Sequence, residues 1–535
     1  MTQFTSPDTG RALLAAALTF PDRFALSAAG ERLTYRDLFG QSAGIAAAFG
    51  KAGIRPGDCV AVLAGRNTTA YGAVLAAVLA GCCYVPLNHK FPPERNRRIL
   101  ERSGASALII DDECAGQQGN GLGDLGGLLV VTPESNRVPF DSVRTRLVPL
   151  DMPSVALEAF EPRKVPASAS PLYLLFTSGT TGQPKGVPIS HANLAAYLAA
   201  IRAHVPVGPE DRVLQAVDLT FDLSVHDMML TWTNGAELYA APDNGAILAP
   251  RLIAANDLTT SLIVPSAAAR AIDYGLVKPE AMPSLRYSLF AGEALPVPLA
   301  EQWQHAAPNA VILNLYGPTE ATIHTTFYPF DARRPPPSKI MPIGWPLGEQ
   351  KVLISNHDGS EPVAGEAAEI FLSGPQLTAG YWKAPHLDEE RFVLRDGTRW
   401  YRTGDLGRLD PEHGILFSGR ADRQMKMRGY RVELQEIEGT LRDVTGRSQA
   451  AVLGWPVVAD GAADGIVGFV TGDPVDAAEV QRTMRKLLPP YMVPDRIEVI
   501  EALPLNANGK TDYRALATIV AEEQRPTGTA QAAEV

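Results

Sequence analysis

The sequence predicts an α/β protein. A large N-terminal domain of mixed, mostly parallel sheets is sandwiched by helices, and a small α+β domain follows. Three observations predict this. Short apolar runs alternate with amphipathic stretches: VAVLAG at 60–65, SALIIDD at 106–112, LYLLFTS at 172–178, SLIVPS at 261–266, RYSLFAGE at 286–293 and VILNLYG at 311–317. Several of them end in Gly, Ser or Thr, as strands do when they deliver a loop to a site at their carboxyl ends. The chain has 535 residues, too many for one core. Its character also changes after Gly419-Arg420-Ala421-Asp422, where strand-like QAAVLGW, GIVGFVTG and RIEVIEAL surround an amphipathic stretch near Ala477–Leu488. We therefore expect a core over 1–421, a small domain over 422–524 and a disordered polar tail over 525–535.

Taken in order, the first twenty residues lack a basic stretch followed by an apolar core, so they do not read as a signal peptide. The segment YGAVLAAVLAGCCYVPL at 71–87 is long enough to span a membrane, but its Gly81 break and β-rich ending predict a buried helix running into a strand. The glycines of 116–127 predict a surface loop. Cys59, Cys82, Cys83 and Cys114 have neither metal-ligand spacing nor a disulfide framework, which points to a reducing cytoplasm. A net charge of -11 argues against a nucleic-acid partner. No membrane partner is expected.

The chemistry begins at LLFTSGTTGQPKGV, 174–187. A strand runs into Thr177, Ser178, Gly179, Thr180, Thr181 and Gly182, followed by Lys185. Glycines let the backbone present N–H groups, hydroxyls add donors and the lysine adds charge, a cradle suited to a triphosphate. It is not a Walker A loop, and neither is Asn508-Gly509-Lys510-Thr511, where the earlier glycine would fall on Pro504.

The 174–187 loop resembles the phosphate-binding loop of the adenylate-forming superfamily: acyl-CoA and aryl-CoA synthetases, luciferases and adenylation domains of nonribosomal peptide synthetases. Further motifs similar to that family's follow in its order: CCYVPLNHKFPPERNRRIL at 82–100, FAGEALP at 290–296, NLYGPTEATI at 314–323 and AEIFLSGPQLTAGYW at 368–382. YRTGDLGRL at 401–409, GRADRQMKMRGYRVE at 419–433 and LPLNANGKTDY at 503–513 complete the set. Asn88 stands where aspartate is frequent and Ala368 where glycine is usual, both at structural positions.

The resemblance implies ATP and Mg²⁺ as cofactors and gives each residue a role. Gly292, Glu293, Asn314 and Gly317 join the nucleotide site, and Tyr316 stacks on adenine. Thr319 contacts phosphate, Glu320 holds Mg²⁺, Asp405 binds the ribose hydroxyls and Arg420 approaches ribose and phosphate. Lys510 neutralises charge where the substrate carboxylate attacks the α-phosphorus. Asp422 is the hinge about which the small domain turns.

Phe221-Asp222-Leu223-Ser224-Val225 resembles the amino-acid-activating branch, where the aspartate pairs with the substrate's α-ammonium. Read from the residues alone, Asp222 could instead cap a helix. The remaining pocket positions are Leu223, His226, Ala267, Leu289, Ala291, Leu315, Ile323, His324 and Lys510. Their apolar lining resembles that of free-standing enzymes loading a compact amino acid such as L-proline, with His226 and His324 read as packing or as recognition of a polar side chain. No carrier or condensation motif follows Lys510, so the expected acceptor is the phosphopantetheine thiol of a separate peptidyl carrier protein, with coenzyme A as the alternative acceptor. A D-alanine–carrier protein ligase, an acyl- or aryl-CoA ligase and a non-catalytic nucleotide-binding scaffold are the alternatives.

Overall fold

The computed structural model describes residues 8–523 except 119–120, 123–126, 133–145, 150–153, 166, 168, 179–183, 244, 357–358, 364, 423, 428–429, 448, 458–461 and 506–510. The chain forms two compact units, divided after Asp422, with Ser178 grouped in the second.

The first unit is built on three sheets. A seven-stranded sheet runs in the order 146–149, 129–132, 107–110, 59–63, 83–86, 171–177, 185–190, parallel throughout except for its last pair. A nine-stranded sheet has six parallel strands at its centre: Val311–Tyr316, Tyr287–Phe290, Thr260–Ile263, Arg212–Gln215, Glu237–Ala240 and Phe24–Ala28. Each apolar run noted in the sequence contributes a strand to one of these sheets. The third sheet departs from the parallel expectation. Its five strands, Lys351–Ser355, Ala368–Ser373, Thr398–Asp410, Phe392–Arg395 and Gly414–Arg420, are all antiparallel. Only two residues separate Phe392–Arg395 from Thr398–Asp410, and only three separate that strand from Gly414–Arg420, where a parallel pair needs a long crossover.

Helix Thr68–Leu79 is buried from Ala70 to its end and leads through Gly81 to strand Cys83–Pro86. Gly81 takes φ +69°, and a Cβ there would sit 2.8 Å from the Arg163 carbonyl oxygen, so only glycine makes this corner without strain. Gly116 lies inside helix Asp112–Gln118, so the expected loop begins later than its glycines suggested. All four cysteines are buried free thiols. No helix among the described residues is long and apolar enough to cross a membrane.

The second unit packs helices Leu434–Thr445, Ala477–Met484 and Tyr513–Glu523 with a three-stranded sheet of Ala450–Gly454, Ile466–Thr471 and Arg496–Ile500. A hairpin of Gln424–Met427 and Tyr430–Glu433 precedes them.

Candidate active site

The phosphate-loop motif closes a hairpin: strand Pro171–Thr177 pairs antiparallel with Lys185–Ser190, Thr177 opposite Lys185. The motif thus lies between two paired strands, unlike a Walker motif, which leads from a strand into a helix. Thr177 presents a buried hydroxyl that meets no partner among the described residues. Ser178 is buried. Gly179, Thr180, Thr181 and Gly182 lie outside the described residues, as does Lys510.

Lys185 is buried, its ammonium 3.2 Å from a carboxylate oxygen of fully buried Glu320. Tyr381 completes this group: its hydroxyl donates to the same oxygen at 2.8 Å, and its ring lies 5.0 Å from the ammonium. Glu320 and Thr319 sit in the short 3₁₀ turn Thr319–Ala321, after strand Val311–Tyr316. One carboxylate beside a loop cation fits Mg²⁺, which takes few protein ligands and completes its shell with phosphate and water. Tyr381 lies in the motif quoted from 368–382, yet nothing in local spacing marks it as a partner of Lys185 and Glu320.

Asp405 receives two donors. The Tyr316 hydroxyl donates to one oxygen at 2.6 Å, and the Arg420 guanidinium donates to the other. Arg420 also binds Asp422 through Nε at 2.7 Å and Nη2 at 2.9 Å, and Arg391 approaches Asp422 at 3.5 Å. The residues expected at the ribose, adenine and hinge therefore form one connected network. Asn314 is buried and donates to the Pro342 carbonyl at 2.8 Å. Gly292 takes φ +83°, and Glu293 binds the backbone N–H of Ser266 at 2.7 Å and its hydroxyl at 3.0 Å.

Asp222 stands just before helix Leu223–Trp232, but its side chain makes no capping bond there. It is buried and its Oδ2 has no partner among the described residues. Burial pushes its carboxyl up to about 6; a Thr319 hydrogen bond opposes this, the Glu320 charge adds to it and the Ile323 N–H opposes it again. No cation appears among these main influences. A buried carboxylate held without one is costly unless a ligand supplies the charge.

The other described pocket positions, Leu223, His226, Ala267, Leu289, Ala291, Leu315, Ile323 and His324, are buried. Leu223, Leu289, Ala291, Leu315 and Ile323 share one apolar cluster, and Ala267 lies on helix Pro265–Asp273. The backbone beneath them is strained: Thr322 and Ile323 take φ of +57° and +68°, a region β-branched residues avoid. Gln376 holds this bend, its amide donating to the carbonyls of Ala321, Thr322 and His324 at 3.2, 3.2 and 2.8 Å. Gly317 makes room for it, because a Cβ there would meet the Ile323 oxygen at 2.6 Å.

His226 and His324 converge on one residue that no sequence motif singles out. Tyr197, on helix His191–Ile201, places its hydroxyl 2.6 Å from Nδ1 of His226 and 2.9 Å from Nδ1 of His324. Burial lowers His226 to about 3 and His324 well below its ordinary value, with the neighbouring His226 adding to the latter. Both rings are therefore neutral at physiological pH.

A buried carboxylate awaiting a cation, a lysine–carboxylate pair behind a Ser/Thr/Gly hairpin loop, and a Tyr–Asp–Arg network together define an adenylate-forming enzyme. The AMP-binding enzyme family model matches residues 13–382, and the AMP-binding enzyme C-terminal domain model matches residues 436–510. The chain belongs to the AMP-binding enzyme family. Phosphinothricin tripeptide synthetase PhsC of Streptomyces viridochromogenes is 33% identical over 523 residues, covering 95% of this chain and 45% of the relative. Phenyloxazoline synthase MbtB of Mycobacterium sp. (strain MCS) is 32% identical over 522 residues, covering 96% of this chain and 42% of the relative. The chain thus spans less than half the length of either relative. Among solved structures, the Vibrio cholerae adenylation domain AlmE in complex with glycyl-adenosine-5'-phosphate superposes with a TM-score of 0.88 at 31% identity, covering 98% of this chain and 99% of that one.

Proposed function

We propose that the protein is a free-standing amino-acid–carrier protein ligase. It condenses a compact amino acid with ATP to give aminoacyl-AMP and pyrophosphate. It then passes the acyl group to the phosphopantetheine thiol of a separate peptidyl carrier protein, releasing AMP. The observation that carries this reading is Asp222, a buried carboxylate with one oxygen unpartnered and no cation among its main influences. An α-ammonium supplies the missing charge, and the apolar cluster of Leu223, Leu289, Ala291, Leu315 and Ile323 suits a small body beside it. AlmE, crystallised with a glycyl adenylate, supports an amino-acid substrate.

In this reading Asp222 orients the substrate so that its carboxylate oxygen reaches the α-phosphorus. Glu320 would hold Mg²⁺, which neutralises phosphate charge, and Lys185 supplies a loop cation. Asp405 accepts from the ribose hydroxyls, Tyr316 and Arg420 fixing its two oxygens. Lys510 stabilises the charge that develops during attack. Four buried free thiols fit a reducing cytoplasm.

ATP–pyrophosphate exchange across the common amino acids, D-alanine, and fatty and aryl acids tests the proposal. One compact L-amino acid is expected to dominate. Preference for a fatty or aryl acid would make the protein an acyl- or aryl-CoA ligase, preference for D-alanine its D-alanine–carrier counterpart, and no exchange with any acid a scaffold.

Asp422 is proposed as the hinge. Proline there fixes φ, so Asp422→Pro is expected to retain pyrophosphate exchange and lose carrier loading. Asp422→Ala removes the carboxylate that binds Arg420 but leaves φ free, and should load carrier better than the proline variant. Equal loading by the two variants would refute the hinge.

A further inference from the structure

Tyr197 stands between two buried imidazoles, and its single proton constrains both. A phenol carries one O–H and accepts through its oxygen. Its hydroxyl lies within hydrogen-bond distance of both Nδ1 atoms, at 2.6 and 2.9 Å. If both Nδ1 atoms were bare, they would compete for one proton. If both carried protons, the tyrosine O–H would have nothing to donate to. The arrangement that satisfies all three groups has the tyrosine donate to one imidazole and accept from the other. A neutral imidazole carries its proton on one nitrogen only, so the two Nε2 atoms must differ: one bears N–H and the other a lone pair.

Both Nε2 atoms are buried, and neither has a hydrogen-bond partner among the described residues. His226 is 0% exposed and His324 1%. The ring centroids lie 5.7 Å apart. Both rings belong to the neighbourhood of Asp222. His226 lies four residues on from it, with His226 N–H donating to the Asp222 carbonyl, so the two share a helix face. His324 follows Ile323, whose backbone N–H reaches the Asp222 carboxylate. The frame is rigid. Asn193, on the helix that carries Tyr197, donates to the carbonyls of Pro375 and Leu377 at 2.7 and 3.1 Å, and Gln376 between them grips the bend before His324.

We infer that Tyr197, His226 and His324 form a donor–acceptor fork that selects a compact amino acid whose side chain carries a hydroxyl. The inference rests on the amino-acid reading of Asp222 and adds the side-chain chemistry to it. A hydroxyl both gives and takes a hydrogen bond and matches the two unlike nitrogens. A carboxylate only accepts and an ammonium only donates, so either would leave one nitrogen facing a like group. An aliphatic side chain would leave both nitrogens unpaired in a buried site. Tyr197 acts as a positioning residue, setting the tautomers without reaching the reacting atoms.

L-threonine with its isostere L-valine, and L-serine with L-alanine, test this by pyrophosphate exchange with the full chain. A site built to hydrogen-bond a hydroxyl should favour the hydroxylated member by about 10²-fold or more in kcat/KM. Tyr197→Phe removes the proton that sets the two tautomers. It should collapse that ratio to within about tenfold while the KM for ATP stays unchanged, a pattern that general loosening of the fold would not produce. Preference of the wild-type protein for L-valine, L-alanine or L-proline would overturn the fork and leave amino-acid adenylation standing. A ratio unchanged in Tyr197→Phe would overturn it too. Exchange with fatty or aryl acids alone would defeat the amino-acid reading and this inference with it. The wild-type ratios decide the matter even if the tyrosine variant fails to fold.

Discussion

Lys510→Ala is expected to lower pyrophosphate exchange by roughly 10²–10³-fold, the scale of removing one preorganised donor from a charge-developing transition state. The motif around it resembles the family segment whose lysine reaches the reacting oxygens only during adenylation. Transfer from a preformed aminoacyl-adenylate to a carrier thiol should therefore suffer far less. Single-turnover assays of the two half-reactions make the comparison, and equal losses in both would remove Lys510 from its assigned role. Lys185 provides a contrast, because its ammonium is already committed to Glu320 at 3.2 Å and cannot substitute for a second cation.

Asp222→Asn is expected to abolish detectable activation of every amino acid, a loss of roughly 10³-fold or more, while ATP binding persists. The wild-type pH profile should show the same group. Burial raises the carboxyl from 3.8 to about 6. It is ionised above that pH and can pair with an ammonium; below it the neutral acid cannot. The kcat/KM for the amino acid should thus fall about tenfold per pH unit below about 6, with no matching change in ATP affinity. Stability carries the opposite sign. A folded-state value above the unfolded one means that the folded protein binds more protons between pH 3.8 and about 6, so this group's contribution declines as pH rises through that window. The resulting penalty above about pH 6 is about 3 kcal/mol, which Asp222→Asn removes. Thermal unfolding should show the variant more stable than wild type at about pH 8, with no such gain at about pH 4. A variant less stable at both pH values would show that the carboxylate is satisfied within the protein.

The α/β class, the strand of every apolar run and the phosphate loop's place at a strand end were legible in the sequence because they depend on neighbours along the chain. Period-two and period-three-to-four apolar patterns report a residue's own face, and a Ser/Thr/Gly run reports its own backbone. The same holds for Asp222: a carboxylate beside an apolar helix with no cation nearby already asks for a ligand. Local pattern does not say which distant groups meet. The third sheet runs antiparallel, a direction that no apolar run records.

Tertiary structure alone brought Tyr381 to the Lys185–Glu320 pair and Gln376 to the strained bend at Thr322 and Ile323. It also brought Tyr197 to His226 and His324, 29 and 127 residues away. In sequence those histidines had two open readings, packing or recognition. Only their shared contact with a single hydroxyl, deep enough to hold both rings neutral, makes their outer nitrogens unlike. The physical reason is the proton count: one phenolic proton between two buried imidazoles can satisfy both only if they differ, and no pattern along the chain records which groups share a proton.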